Sequence, residues 1–194
     1  MLQAVQRWLA RSDPPEKAAL IFVLAGRQHR KLCALDLYQK GYAPRLILSV
    51  GRYEIRRFAT LPLPIKVSLL ELAAPVPAYE RHFFVCFEKS GVQIERIAVR
   101  RLGTLNEIRA LRDWLARRSE INSVLVVTSG VHARRVRLCC RAMLGAGVNV
   151  HVMNALETSD VVNEPRCGTW KELLKLAAYW VWLAPAFGKT RRAK

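Results

Sequence analysis

Short, continuous runs of apolar residues alternate along this chain with stretches whose apolar residues recur at helical spacing. The apolar runs predict strands over residues 19–24, 45–50, 94–99, 123–128 and 148–153. The periodic stretches predict helices over residues 28–39, 104–118, 131–144 and 169–183. Apolar strands without polar alternation, separated by helices, are typical of a parallel sheet covered on both faces. The sequence therefore predicts an α/β fold with a mostly parallel sheet of about five strands.

Length and apolar content agree with a single domain over residues 1–194. The chain has 194 residues, of which 52% are hydrophobic, and this is ample for a buried core. Residues 52–80 fit the alternation least well, because they contain Pro62, Pro64, Pro75 and Pro77. We expect that stretch to be an irregular excursion beside the sheet.

The chain is strongly basic. It has 32 Lys and Arg residues against 15 Asp and Glu residues, a formal net charge of +17. Such a surface attracts nucleic acid, anionic lipid or phosphorylated ligands. Nucleic acid is the weaker of these partners, because the basic residues are dispersed and no helix-turn-helix, zinc-finger or RNP motif is visible. With no signal peptide and no apolar run of about 18 residues, we expect a cytoplasmic protein.

Several common types of site lack their sequence motifs. The five cysteines include no CxxC pair, so neither a zinc site nor a disulfide framework is predicted, and we expect no metal. The glycine fingerprint of dinucleotide-binding proteins is absent. The nucleophile elbow of serine hydrolases is absent as well.

Polar residues follow three of the predicted strands, at the sheet edge where ligands of parallel sheets bind. Glycine permits close backbone approach, while hydroxyls and guanidiniums suit a phosphate or carboxylate. The candidate ligand-binding residues are Gly26, Arg27, Arg30, Ser49, Gly51, Thr104, Thr128, Ser129 and Arg135. If the protein is an enzyme, His132 or Glu107 is the candidate proton-transfer group and the arginines hold charge.

Each of these residues also has a structural interpretation. Ser129 could cap the helix that follows it. Thr104 and Glu107 match a capping box, in which both side chains bond backbone amides of their own helix. His132 could be structural, and Arg134, Arg137 and Arg141 recur at the spacing of a solvated helix face.

Five motifs resemble the bacterial family of unknown function typified by YdcF, SanA and ElyC. They are Arg30-x3-Ala34-x2-Leu37-Tyr38-x2-Gly41, Ala43-Pro44 before a strand ending Ser49-Val50-Gly51, Gly103-Thr104-Leu105-Asn106-Glu107, Val127-Thr128-Ser129-x2-His132-x2-Arg135, and Trp170-Lys171-Glu172. The resemblance covers about residues 18–183, leaving a basic tail at 184–194. The chain departs from the family pattern at Val50, where the family has glycine, and around Val99, where it has an acidic residue.

The resemblance implies a Rossmann-like three-layer α/β/α sandwich and a link to cell-envelope or polysaccharide biogenesis. It also implies an anionic ligand: S-adenosylmethionine, a nucleotide-like molecule or a lipid phosphate. The family's chemistry is undefined, so it does not decide whether this chain is an enzyme. The alternatives are a basic nucleic-acid-binding module and a non-catalytic scaffold at a membrane surface.

The last predicted helix allows two interpretations. It closes the core and leaves a disordered basic tail, or its Trp-rich end touches the inner face of the plasma membrane. Tyr179, Trp180 and Trp182 are of the types enriched at membrane interfaces. The basic residues Lys189, Arg191, Arg192 and Lys194 would attract anionic lipid.

Overall fold

A computed structural model describes residues 2–99, 103–155 and 166–191, and the side chains of residues 2–99, 103–155 and 168–184. The strands are β1 (Leu20–Val23), β2 (Leu46–Gly51), β3 (His82–Glu88), β4 (Gly91–Arg96), β5 (Ser123–Thr128) and β6 (Asn149–Asn154). The helices are α1 (Leu2–Leu9), α2 (Gln28–Gln39), α3 (Ile55–Phe58), α4 (Leu69–Ala73), α5 (Gly103–Leu115), α6 (Ala133–Leu144) and α7 (Arg166–Arg191). Short 3₁₀ turns occupy Ala78–Glu80, Gly130–His132 and Gly145–Gly147.

The strands form one mixed sheet in the order β4-β3-β2-β1-β5-β6. Strands β1, β2, β5 and β6 pair in parallel, whereas β3 and β4 form an antiparallel hairpin on the β2 side. The predicted α/β class with a mostly parallel sheet is therefore confirmed. The described sheet has six strands, where about five were predicted.

The antiparallel hairpin explains the difference in strand number. Strand β3 is buried along nearly its whole length, and its sequence HFFVCFE was not predicted as a strand. Strand β4 lies at the sheet edge, so its side chains are only partly buried, and only Val92 and Ile94 of its six residues are large and apolar. The strand predicted over residues 94–99 therefore lies three residues too far along the chain.

Alternate residues of the strands face two separate buried clusters, one on each side of the sheet. Leu20 and Phe22 belong to the cluster that includes residues of α5, α6 and α7. Ile21 and Val23 belong to the cluster that includes residues of α2, α3 and α4. The Pro-rich excursion of residues 52–80 contains α3 and α4, so it helps to cover the second face.

Helix α7 is longer than predicted, since it runs from Arg166 to Arg191 instead of over residues 169–183. It includes most of the predicted basic tail, and residues 192–194 lie outside the described part of the chain. Tyr179 and Leu183 join the first cluster, and the helix packs mainly against α6. None of the helices in the described ranges is long and apolar enough to cross a membrane.

Candidate functional site

The carboxyl ends of β1 and β5 and the first turn of α5 surround a cavity of about 270 Å³. Because β1 and β5 are parallel neighbours, the residues that follow them lie side by side. We call this space the strand-end cavity. It is lined by Leu24, Ala25, Gly26, Arg27, Arg30, Thr104, Thr128, His132, Arg135 and Val136, and so includes most of the residues predicted from the sequence.

Arg30 connects the ends of the two strands. Its Nε donates to Ser129 Oγ at 2.7 Å, and its Nη1 donates to the Ala25 carbonyl at 2.9 Å. Burial, reinforced by neighbouring Arg135 and Arg27 but opposed by nearby carboxylates, lowers the pKa of Arg30 to about 10. The guanidinium therefore remains charged at neutral pH.

Gly26 permits this arrangement. Its φ of +131° is a conformation that side chains rarely adopt, and a Cβ there would lie 3.0 Å from Arg30 Nη1. The glycine after β1 is thus required by the backbone and by the position of the arginine.

Two capping interpretations are wrong. Ser129 precedes a 3₁₀ turn but forms no side-chain cap there, and its hydroxyl accepts from Arg30 instead. Glu107 does not bond the amides of its own helix, because its Oε2 accepts from the Ala25 N–H at 2.8 Å. Thr104 lies inside α5, and its hydroxyl accepts from Arg135 Nη1.

Glu107 is buried behind Ala25 and is not among the residues that line the cavity. Burial raises its pKa, while hydrogen bonds from the Ala25 amide and the Ser49 hydroxyl oppose that rise. Glu107 therefore holds the chain that follows β1 in place through the Ala25 amide.

Ser49 and Gly51 lie in a second polar group at the end of β2, which we call the β2 cluster: Lys31, Ser49, Gly51, Glu54 and His82. Ser49 Oγ is 2.7 Å from His82 Nε2. The two Glu54 oxygens accept from Lys31 Nζ at 2.5 Å and from the Gly51 amide at 2.9 Å. Burial, reinforced by the charge of Lys31, lowers the pKa of His82 to about 4, so this imidazole is neutral at pH 7.

Arg135 and Glu172 form a buried ionic group on the other side of the strand-end cavity, and His132 contacts the same carboxylate. Arg135 Nε donates to Glu172 Oε1, and His132 Nδ1 lies 3.0 Å from Glu172 Oε2. Burial disfavours the charge of Glu172. Hydrogen bonds from His132 and Arg135 and the Arg135 charge outweigh burial and lower the pKa of the carboxyl to about 2.

Glu172 was not predicted as a site residue. It appears in the sequence only as part of the Trp170-Lys171-Glu172 motif. It is also the one acidic residue in the sequence of α7, residues 166–191, which is otherwise apolar, polar or basic. A single carboxylate in such a helix is a signal that could have identified it, because a buried charge requires a partner.

Thr128 presents an unusual polar atom. The residue is fully buried at the end of β5 and lines the cavity, yet its Oγ1 has no hydrogen-bond partner among the described residues. Buried hydroxyls are nearly always paired in proteins. This buried hydroxyl, in a residue that lines the cavity, is therefore a candidate donor to a ligand.

The electrostatic character of the cavity is positive. Arg27, Arg30 and Arg135 line it, whereas Glu107 and Glu172 do not. The Glu172 carboxylate contacts Arg135 and His132, and the Glu107 carboxylate accepts from the Ala25 amide. Across the described ranges there is no group of three or more His, Cys, Asp or Glu side chains that could hold a metal ion. The arrangement therefore suits an anion held by guanidiniums and hydroxyls.

Comparison with models of protein families, with curated proteins and with solved structures found no match to this chain. The family resemblance therefore rests on the sequence motifs alone.

Proposed function

We propose that the chain binds a phosphate-bearing ligand in the strand-end cavity, either a small molecule or the head group of a lipid phosphate. The observation that carries the proposal is a cavity lined by three arginines, Arg27, Arg30 and Arg135, with no carboxylate among its described lining residues. The buried hydroxyl of Thr128, another lining residue, has no partner among the described residues. A phosphate oxygen accepts from both kinds of donor, and hydrogen bonds to charged groups contribute about 1.5–3 kcal/mol each.

The size and chemistry of the cavity restrict the ligand. Small-molecule sites are commonly about 300–1,000 Å³, so about 270 Å³ is enough for a phosphate with a small adjoining group. S-adenosylmethionine has a carboxylate that arginines suit, but its sulfonium cation is repelled by them. A phosphate-bearing ligand is therefore the better fit of those that the resemblance implies.

We also propose the finer features that the resemblance implies: a Rossmann-like three-layer arrangement, membership of the YdcF, SanA and ElyC family, and a role in envelope biogenesis. The two buried clusters on opposite faces of the sheet support the first of these. The motif Val127-Thr128-Ser129-x2-His132-x2-Arg135 supports the second, because four of its residues surround or support the cavity.

Calorimetric titration with inorganic phosphate, pyrophosphate, a nucleoside diphosphate and S-adenosylmethionine tests the site. Phosphate compounds should bind the wild type. Thr128→Val, which keeps the side-chain shape, should weaken binding by about tenfold or more, as expected for one lost hydrogen bond to a charged group of about 1.5 kcal/mol or more. Arg112→Ala is the control, since Arg112 is exposed and, among the described residues, pairs with its neighbour Asp113. Equal affinity in Thr128→Val and wild type, or no phosphate binding at all, would reject the proposed site.

A second observation favours contact with an anionic membrane surface at its cytoplasmic face. Trp170, Leu174 and Val181 lie on one side of α7 and are 59%, 72% and 72% exposed. Lys171 and Lys175, both exposed, flank this apolar face. Apolar contact with lipid and attraction of lysines to anionic head groups act together at such a surface. This contact would bring a lipid phosphate near the protein.

Co-sedimentation with phosphatidylglycerol and phosphatidylcholine vesicles tests this contact. Wild type should pellet with the anionic vesicles, and a Trp170→Ser, Leu174→Ser variant should remain largely in the supernatant, while Arg112→Ala behaves as wild type. Equal pelleting of the double variant and wild type would show that α7 is not the contact. Strong binding of duplex DNA without any vesicle binding would favour the nucleic-acid-binding alternative that the net charge of +17 suggests.

A further inference from the structure

We infer that His132 is the proton-transfer group of the strand-end cavity and that Glu172 on α7 is its positioning residue. The inference rests on the proposed function, because the proton is exchanged with the phosphate-bearing ligand or with a water beside it. It makes the cavity a site of acid–base chemistry as well as of binding.

The two neighbours of His132 Nδ1 decide which ring nitrogen holds the proton. Nδ1 lies 3.0 Å from Glu172 Oε2 and 3.1 Å from Arg135 Nη2. A guanidinium can only donate, so Nδ1 either accepts from Arg135 or donates to Glu172, and it cannot do both. A lone pair on Nδ1 would face a carboxylate oxygen at 3.0 Å, which is repulsive.

Donation to Glu172 removes that repulsion, although it brings the Nδ1–H within 3.1 Å of the Arg135 Nη2 donor. Arg135 Nη2 is 3.4 Å from the same Oε2, so it can direct an N–H to the carboxylate without using Nδ1. The neutral ring then has its proton on Nδ1 and its lone pair on Nε2.

The position of His132 presents Nε2 to the cavity. The ring is bound to Glu172 through Nδ1, its residue lines the cavity, and its side chain is 33% exposed. Nε2 has no hydrogen-bond partner within the part of the chain that the structure describes. A proton acceptor beside Arg27, Arg30 and Arg135 is suited to take a proton from a ligand hydroxyl or water, and to return it to a developing oxyanion.

Glu172 is fixed firmly enough to orient the ring. Its side chain is 2% exposed, and its two oxygens bind different partners, Arg135 Nε and His132 Nδ1. Arg135 is held in turn by the Thr104 hydroxyl and lies over the Tyr179 ring, 5.4 Å from its centroid. Thr169, one turn before Glu172, accepts from Gln6 of α1 at 3.1 Å and is hydrogen-bonded to neither His132 nor Arg135 in the described part of the chain.

Nitrogen NMR of full-length protein labelled at histidine tests this assignment. His132→Gln identifies the signals of His132 by their loss. In the wild type, neutral His132 should show a protonated Nδ1 and an unprotonated Nε2, and inorganic phosphate should shift Nε2 more than Nδ1. In Glu172→Gln the two tautomers should mix, because an amide oxygen holds the ring N–H less strongly than a carboxylate does.

Thr169→Val is the matched control. This substitution on α7 removes the hydrogen bond that Thr169 accepts from Gln6 of α1. It leaves the contacts of His132 intact, so the wild-type tautomer should persist. Since the wild-type spectrum alone reports the tautomer, the assignment is decided even if Glu172→Gln fails to fold.

The outcomes separate the two proposals. A proton on Nε2 in the wild type, or an unchanged Nε2 signal when calorimetry shows phosphate bound, would overturn the role of His132 and leave phosphate binding intact. Absence of phosphate binding in calorimetry would overturn the proposed function itself. A Glu172→Gln spectrum identical to that of the wild type would remove Glu172 from its positioning role.

Discussion

The strand-end cavity and the β2 cluster lie at the same edge of one sheet and contain similar residue types. In the β2 cluster the polar groups satisfy one another: Lys31 and the Gly51 amide bond Glu54, and Ser49 bonds His82. Beside the cavity the Thr128 hydroxyl has no partner within the described ranges, and His132 is partly exposed. Polar residues after a strand therefore indicate a ligand site only where their bonds are left incomplete.

The largest expected difference concerns the buried ionic group. Arg135→Ala leaves the Glu172 carboxylate buried without its main partner, and breaking such a pair costs about 3–5 kcal/mol. A residue that only binds ligand could be replaced with little loss of stability. Because Arg135 also neutralises Glu172, we expect a large loss here. Urea denaturation measures the loss, with Arg112→Ala within about 1 kcal/mol of wild type as the control. A small loss in Arg135→Ala would mean that Glu172 finds another partner or protonates easily.

His82 of the β2 cluster and Glu172 beside the cavity should lower the free energy of unfolding in different pH ranges. The pKa of His82 is lowered from 6.5 to about 4, so the unfolded chain binds the proton more tightly. The free energy of unfolding therefore falls as pH decreases from 6.5 towards 4, by about 3 kcal/mol at about 1.4 kcal/mol per unit. The pKa of Glu172 is lowered from 4.5 to about 2, so its contribution is lost only as pH decreases from 4.5 towards 2.

The difference between wild type and His82→Gln isolates the first window, because Glu107 is present in both. Burial raises the pKa of Glu107, so protonation of Glu107 stabilises the fold as pH falls, opposite to the effect of His82. Urea denaturation at a series of pH values gives the curves. If the two curves run parallel between pH 6.5 and 4, His82 is not buried as a neutral ring.

Two glycines predicted for the site should respond differently to alanine. Gly26→Ala places a side chain at φ +131° and against Arg30, and strain of this kind costs about 1–3 kcal/mol. Gly51→Ala, in the β2 cluster, meets Glu54 and His82 only at 3.5 and 3.7 Å, which is ordinary contact. Thermal denaturation should show a clear loss for the first variant and a change within about 0.5 kcal/mol for the second. Similar losses in both would contradict the distinction.

The smallest effects should differ in sign. Thr128→Val removes an unpaired buried hydroxyl, so the ligand-free protein should gain up to about 1 kcal/mol of stability. Ser49→Ala leaves His82 Nε2 without its partner and should lose about 1 kcal/mol or more. Both are measured without added phosphate. A loss in Thr128→Val would show that its hydroxyl is already bonded.

The apolar pattern predicted the parallel core well, whereas the hairpin and the partners of the polar residues could not be read from it. Strands β1, β2 and β5 are almost entirely apolar, so burial alone identifies them, whereas polar residues interrupt the apolar ones in β6 (NVHVMN). Edge strand β4 is only partly buried and was misplaced. The capping motifs at Ser129 and Glu107 are local patterns, and both side chains form long-range bonds instead.

The sequence by itself determined that an α/β sheet forms and that polar residues follow its strands, because burial periodicity and strand ends are local properties of the chain. Only the tertiary structure decided which of those residues meet. It paired Ser49 with His82 and directed Arg30 to Ser129, and it brought Glu172 from α7 to Arg135 and His132. The physical reason is that a buried charge or hydroxyl bonds whatever partner the packing of the elements brings within reach, and that packing is set by the whole core.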